Sequence, residues 1–142
     1  MRLLAFALLF PAFALAQKAE INVQSGAAIR GYDPVAYHRE LQPIKGSEEF
    51  TANWKGAVWR FSSARNRDLF KAEPEKYAPQ YGGYCAYGVA GGYAVGIDPH
   101  AWSVVDGKLY LNYSPSVQAS WKQDVPGFLR KANANWPSVL TR

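Results

Sequence analysis

Apolar and polar positions along this chain divide it into short elements of two different periods. Phe50 to Trp54 and Ala57 to Ser62 flank Lys55-Gly56, and this pattern predicts a β-hairpin. Alternation places Trp59 and Phe61 on one face and Val58 and Arg60 on the other. Asp106-Gly107, between Trp102–Val105 and Lys108–Tyr113, predicts a second hairpin, because Asp-Gly suits the left-handed backbone of a tight turn. Elsewhere the period is helical. Ser62 or Ser63 caps an expected helix through Lys71 with Ala64, Leu69 and Phe70 as its apolar positions, and Pro74 begins another helical turn to Tyr77. Ser114-Pro115 opens a helix to about Gln123. Asp124 caps a last helix whose Val125, Phe128, Leu129, Ala132 and Trp136 form an apolar stripe.

Interspersed strands and helices, without a repeat or a linker, predict an α+β fold. A small antiparallel sheet with hairpins would pack against several short helices in a single domain spanning residues 29–140. The expected core comprises Trp59, Phe61, Leu69, Phe70, Trp102, Val104, Leu109, Leu111, Phe128, Leu129 and Trp136. Gly31-Tyr32-Asp33-Pro34 reads as a turn, with Pro fixing φ and Asp bonding its own backbone.

The first residues read as an address. Met1-Arg2 is a minimal positive region, Leu3 to Leu15 is apolar, and Ala14-Leu15-Ala16 is a small-x-small cleavage step. A signal peptide over 1–16, cut before Gln17, predicts a periplasmic or secreted protein, with 17–28 as a flexible leader. The apolar run is too short to span a bilayer, and no later segment resembles a transmembrane helix. Sixteen Lys+Arg against eleven Asp+Glu give a formal charge of +5, scattered rather than blocked, which argues against a nucleic-acid partner.

Chemistry concentrates between Tyr77 and Pro99, which holds six of twelve glycines, five of nine tyrosines and the sole cysteine, Cys85. Tyr81, Gly83, Cys85, Tyr87 and Val89 alternate with their neighbours, which predicts a strand bent at its glycines. One cysteine makes no internal disulfide, so stability falls to an aromatic-rich core, and an exposed thiol in an oxidising compartment is open to oxidation. Three readings of Cys85 stand side by side: a soft ligand, a redox thiol working with an external thiol, and a small packing residue. Available co-ligands are His38, His100 and Asp98, yet none has the spacing of a zinc or EF-hand motif. A Cys–His nucleophilic pair supported by Asp98 is a further combination of the same residues. The glycines spell neither GxGxxG nor a P-loop. Asn112-Tyr113-Ser114 matches a glycosylation sequon, and the excess of Tyr over Phe allows for a polar-lined cleft.

Asp33-Pro34-Val35, the segment from Ala57 to Phe70, Pro74-Glu75-Lys76-Tyr77 and Tyr81-Gly82-Gly83-Tyr84-Cys85 together resemble a YHS domain. More closely, everything after Ala28 resembles the exported bacterial proteins that carry this domain. The resemblance implies a heavy-metal-binding module. It points to a soft ion, copper first, held by Cys85 with His38, His100 or Asp98, or otherwise to an exported protein partner. The chain departs from metal-associated members by carrying Ala36, Ser62, Ser63 and Asn66 where those have cysteines or their neighbours.

Overall fold

Asp33 joins three segments of the fold. In the computed structural model, whose described residues are 1–10 and 17–142, its side chain is fully buried. Oδ1 accepts from the Val35 and Ala36 N–H groups at 2.8 and 3.2 Å, capping helix α1 (Pro34–Arg39). Oδ2 accepts from the Ser62 N–H, the Ser62 hydroxyl and Asn66 Nδ2 at 2.8, 2.7 and 2.8 Å. The expected turn is therefore a helix cap, and the same carboxyl group reaches across to a second capped helix. That helix, α2 (Ala64–Ala72), starts on Ser63, whose hydroxyl accepts from Asn66 N–H.

The remaining elements form on local signals. Two short strands, β1 (Val23–Gln24) and β2 (Ala27–Ala28), precede α1. Strands β3 (Ser47–Trp54) and β4 (Ala57–Phe61) pair antiparallel about Lys55-Gly56, both with positive φ, and Trp59 and Phe61 share the buried face. Helix α3 (Pro74–Tyr77) follows α2, and helix α4 (Ala86–Ala90) lies between a 3-10 turn over Gln80–Gly83 and strand β5 (Asp98–Val105). Strand β6 (Lys108–Asn112) pairs with β5 about Asp106-Gly107. Ser114 caps helix α5 (Pro115–Lys122) and Asp124 caps helix α6 (Val125–Asn135), each with Pro within the first two positions.

The class is α+β, with six helices and three separate two-stranded antiparallel sheets among the described residues. The hairpins thus do not merge into one sheet; helices and irregular segments fill the space between them. No described helix is long and apolar enough to cross a membrane. Residues 1–10 have no regular secondary structure and are exposed, and the expected cleavage step at 14–16 lies outside the described residues.

Two expectations need correcting. Residues 17–28 are not a free leader: Ile21, Ala27 and Ala28 are buried, Lys18 N–H donates to the Leu140 carbonyl, and β1 pairs with β2. Tyr81 to Val89 is not a strand either. Tyr81, Gly82 and Gly83 all have positive φ, which turns the chain, and Cys85 then starts α4.

Apolar side chains collect in two clusters. Trp59, Phe61, Phe70, Leu109 and Leu111 lie in the first with Tyr37 and Ile29. Tyr110 and Trp121 lie in the second with Tyr81, Val89 and Ala132. Strand β6 serves both, because alternate residues point to opposite faces. Of the expected core, Leu69, Trp102, Val104, Phe128, Leu129 and Trp136 are only half-buried, whereas Ala64 in α2 is exposed. Asn66 takes the inward place on α2 through its bond to Asp33.

Removing the Asp33 acceptor strands buried N–H donors on α1, α2 and Ser62. Asp33→Ala should therefore lower unfolding free energy by about 3–5 kcal/mol in urea denaturation. A loss below about 1 kcal/mol would show that these donors find other partners.

Candidate functional site

Cys85, the residue on which the expected chemistry turned, is 1% exposed. Its sulfur accepts from the Gly88 and Tyr113 N–H groups at 3.4 and 3.2 Å and lies 3.5 Å from Asn112 Oδ1. An amide oxygen only accepts, so this last contact requires the S–H form. Burial pushes the thiol pKa up, against the smaller opposing effect of backbone N–H groups from Gly88, Tyr113 and Tyr87. A buried, protonated thiol is a poor nucleophile. Local geometry explains the placement. Cys85 is the N-cap of α4, and Asn112 Oδ1 accepts from the next free helical N–H, that of Tyr87, at 3.0 Å. Thiol and amide together tie the start of α4 to the end of β6.

The proposed co-ligands have other partners. His38 is half-buried; its Nε2 lies 3.2 Å from the Tyr77 carbonyl and its ring packs edge-on against Tyr77 at 5.5 Å. A carbonyl accepts only, so Nε2 carries the proton. Burial lowers the His38 pKa from its usual value, and the nearby Lys76 charge adds to this, while the Tyr77 carbonyl opposes it. His100 is exposed, and its Nδ1 lies 3.3 Å from Asp98 Oδ1, which also accepts from the His100 N–H at 2.9 Å. Asp98 and His100 are thus brought together, and the β5–β6 register sets Asp98 opposite Asn112. Among the described residues, no three His, Cys, Asp or Glu side chains gather where they could hold a metal ion. The residues present do not fit a soft ion at Cys85, since its sulfur is enclosed and already engaged by two N–H donors and an amide.

The cavity lies elsewhere. A cleft of about 300 Å³ is lined by Glu20 and Ile21, by Trp54 and Lys55 at the β3–β4 turn, by Glu75 of α3, by 78–82 and by Trp136 after α6. Its lining draws on both apolar clusters: Ile21 and Ala78 belong to one, Tyr81 and Trp136 to the other. Hydrogen bonds between distant segments hold the residues next to this lining. Asn22 N–H donates to the Gly82 carbonyl at 2.8 Å, Asn22 Nδ2 to the Gly83 carbonyl at 3.0 Å, and the Tyr84 hydroxyl to the Ala19 carbonyl at 2.7 Å. Gly82 has φ +61°, and a β-carbon there would collide with the Glu20 carbonyl, so only glycine lets the two strands of chain approach this closely. Tyr81 holds φ +57° without that freedom; its hydroxyl donates to Asn133 Oδ1 at 2.8 Å, and its ring packs on Tyr110 and Trp136. Lys55 Nζ sits 3.0 Å from Glu20 Oε1 and 4.8 Å from the centre of the Trp54 ring.

Neither family models, curated proteins nor solved structures give a match to this chain. Function therefore has to be argued from the site itself. Sequence reasoning placed Trp136, Tyr81, Lys55 and Glu75 in structural elements and motifs rather than in a site, and passed over Glu20. The usable signals were a Trp-Lys-Gly turn tip and Gly82-Gly83 beside two tyrosines, but the convergence of these segments is not a local property.

Two outcomes test these assignments. Cys85 should resist a small thiol reagent in the folded protein and react fully once unfolded. Cys85→Ala should lose roughly 0.5–2 kcal/mol through the missing cap, and Cys85→Ser, which retains a cap acceptor, should lose less. Ready labelling of the native thiol would overturn the buried-cap assignment.

For His38 the folded pKa lies below the unfolded one near ~6.5. The unfolded state then binds the proton first, so stability is full above about pH 6.5 and falls as pH drops toward the folded value. His38→Gln should flatten that part of the stability curve, measured by urea unfolding at a series of pH values. An unchanged slope would show that His38 is not its source.

Proposed function

We propose that this chain is an exported, YHS-like binding module whose ligand enters the Trp54–Trp136 cleft, with Cys85 acting as a buried helix cap. The observation that carries this reading is the cleft: two half-buried tryptophans and a buried tyrosine stand beside carboxylate, ammonium and amide groups. Three aromatic side chains and four charged or amide side chains share the lining, and about 300 Å³ is the lower end of the usual size range of a small-molecule site. Left-handed backbone at Tyr81 supports it further, because strained positions cluster where a site must be shaped. Glu20, Glu75, Gln80 and Lys55 supply hydrogen bonds and charge, and no cysteine, serine, threonine or histidine is among the described lining residues, which favours binding over covalent catalysis.

The soft-metal reading suggested by the YHS resemblance draws support only from the presence of Cys85. The redox reading needs a thiolate, and burial of Cys85 works against one. Export rests on the sequence of 1–16.

The test is a set of small fragments of several classes (neutral sugars, aromatic acids, amines) added at millimolar concentration to ¹⁵N-labelled protein. Binding should shift the indole N–H resonances of Trp54 and Trp136 and leave that of Trp121, which is 1% exposed, in place. Trp136→Leu should remove the response. If no fragment class moves either resonance, the cleft is not a ligand site.

A further inference from the structure

Lys55 suggests what the cleft accepts. Its ammonium occupies a seat made by the Trp54 indole face at 4.8 Å and the Glu20 carboxylate at 3.0 Å. An indole face beside a carboxylate is the arrangement that recognises organic cations, through the ring quadrupole and the opposite charge. The seat's present occupant is weakly held. Lys55 and Glu20 side chains are 39% and 53% exposed, and ion pairs at such exposure contribute little. Lys55 stands at a turn tip with φ +49°, on a four-carbon stem free to swing into solvent.

Charge points the same way. The chain as a whole carries a formal +5, yet the cleft lining holds Glu20 and Glu75 against Lys55 alone. Glu75 makes no ion pair among the described residues, since Lys76 pairs with Glu73. With Lys55 swung out, the lining would present two carboxylates and two indoles to one ligand. A neutral sugar would gain from the aromatic faces and from hydroxyl hydrogen bonds to the carboxylates but would leave their charge uncompensated, and an anion would be repelled by them.

We infer that the cleft binds a small organic ammonium compound over Trp54, in the seat that the Lys55 ammonium holds in this structure, with Glu20 and Glu75 as counter-charges. The inference rests on the cleft being a ligand site, and it makes Lys55 a built-in competitor for that site. Its removal should tighten binding, the opposite of what a contact residue's removal does.

Choline chloride and its uncharged isostere 3,3-dimethyl-1-butanol are the probes, followed through the Trp54 indole resonance. Choline should shift that resonance saturably and the isostere should not at equal concentration. Lys55→Asn keeps an Asn-Gly pair suited to the turn while removing the ammonium, and should raise choline affinity roughly threefold to tenfold. Glu20→Gln and Glu75→Gln, both exposed and conservative, should each weaken it. Equal binding of choline and the isostere, or no tightening in Lys55→Asn, would overturn the inference. If choline fails while another fragment class shifts Trp54 and Trp136, the cleft stands and only its ligand class is wrong. Silence from every class removes both.

Discussion

The structure depends first on the buried carboxyl group of Asp33. One side chain accepts five hydrogen bonds and thereby fixes the start of α1, the exit from β4 and the first turn of α2. Each of those donors would be costly to bury alone, so the group that satisfies them all determines how three segments meet. The rings of Trp54, Trp59, Phe61 and Phe70 then pack edge-on or tilted against one another within about 6 Å of centre-to-centre distance. Trp54 reaches the cleft from this rigid aromatic layer, so one edge of the candidate site is set by a contact on the other side of the hairpin.

The opposite edge has a different origin. Tyr81 packs edge-on and Tyr84 tilted against Trp136, and α6 holds Tyr81 through Asn133. Between these two layers runs the segment 17–22, bonded to Gly82 and Gly83 on one side and to Leu140 and Ala94 on the other. The cleft is lined by residues of both groups. Its shape follows from how two separately packed aromatic groups are joined by one early segment of chain, which is why a single added β-carbon at Gly82 would disturb it.

Cys85 shows how a chemically conspicuous residue can be accounted for by local needs. A short helix begins there, its first N–H groups need acceptors, and a thiol beside an asparagine amide supplies them in a space that water does not reach. The same burial that lets it do so raises its pKa and keeps it in the thiol form. Reactivity and capping thus make opposite demands on this sulfur, and the surroundings meet the second.

Features that one stretch of chain settles through its own local chemistry could be read directly from the residues. Lys55-Gly56 and Asp106-Gly107 tolerate left-handed turns, so both hairpins were legible; Ser63, Ser114 and Asp124 accept from their own helices, so those starts were too. Alternation assigned Trp59 and Phe61 to the core face correctly. Tertiary structure decided the rest. Tyr81 to Val89 alternates like a strand, but alternation does not register three successive positive φ values in a stretch that the segment 19–22 bonds across. Asp33 looked like a turn residue because Ser62 and Asn66, which bury it, lie about thirty residues away. The cleft draws on Glu20, Lys55, Glu75, Gly82 and Trp136, five points that no periodicity links. Their meeting is a property of packing, in which each segment's position is set by its neighbours in space rather than by its own composition.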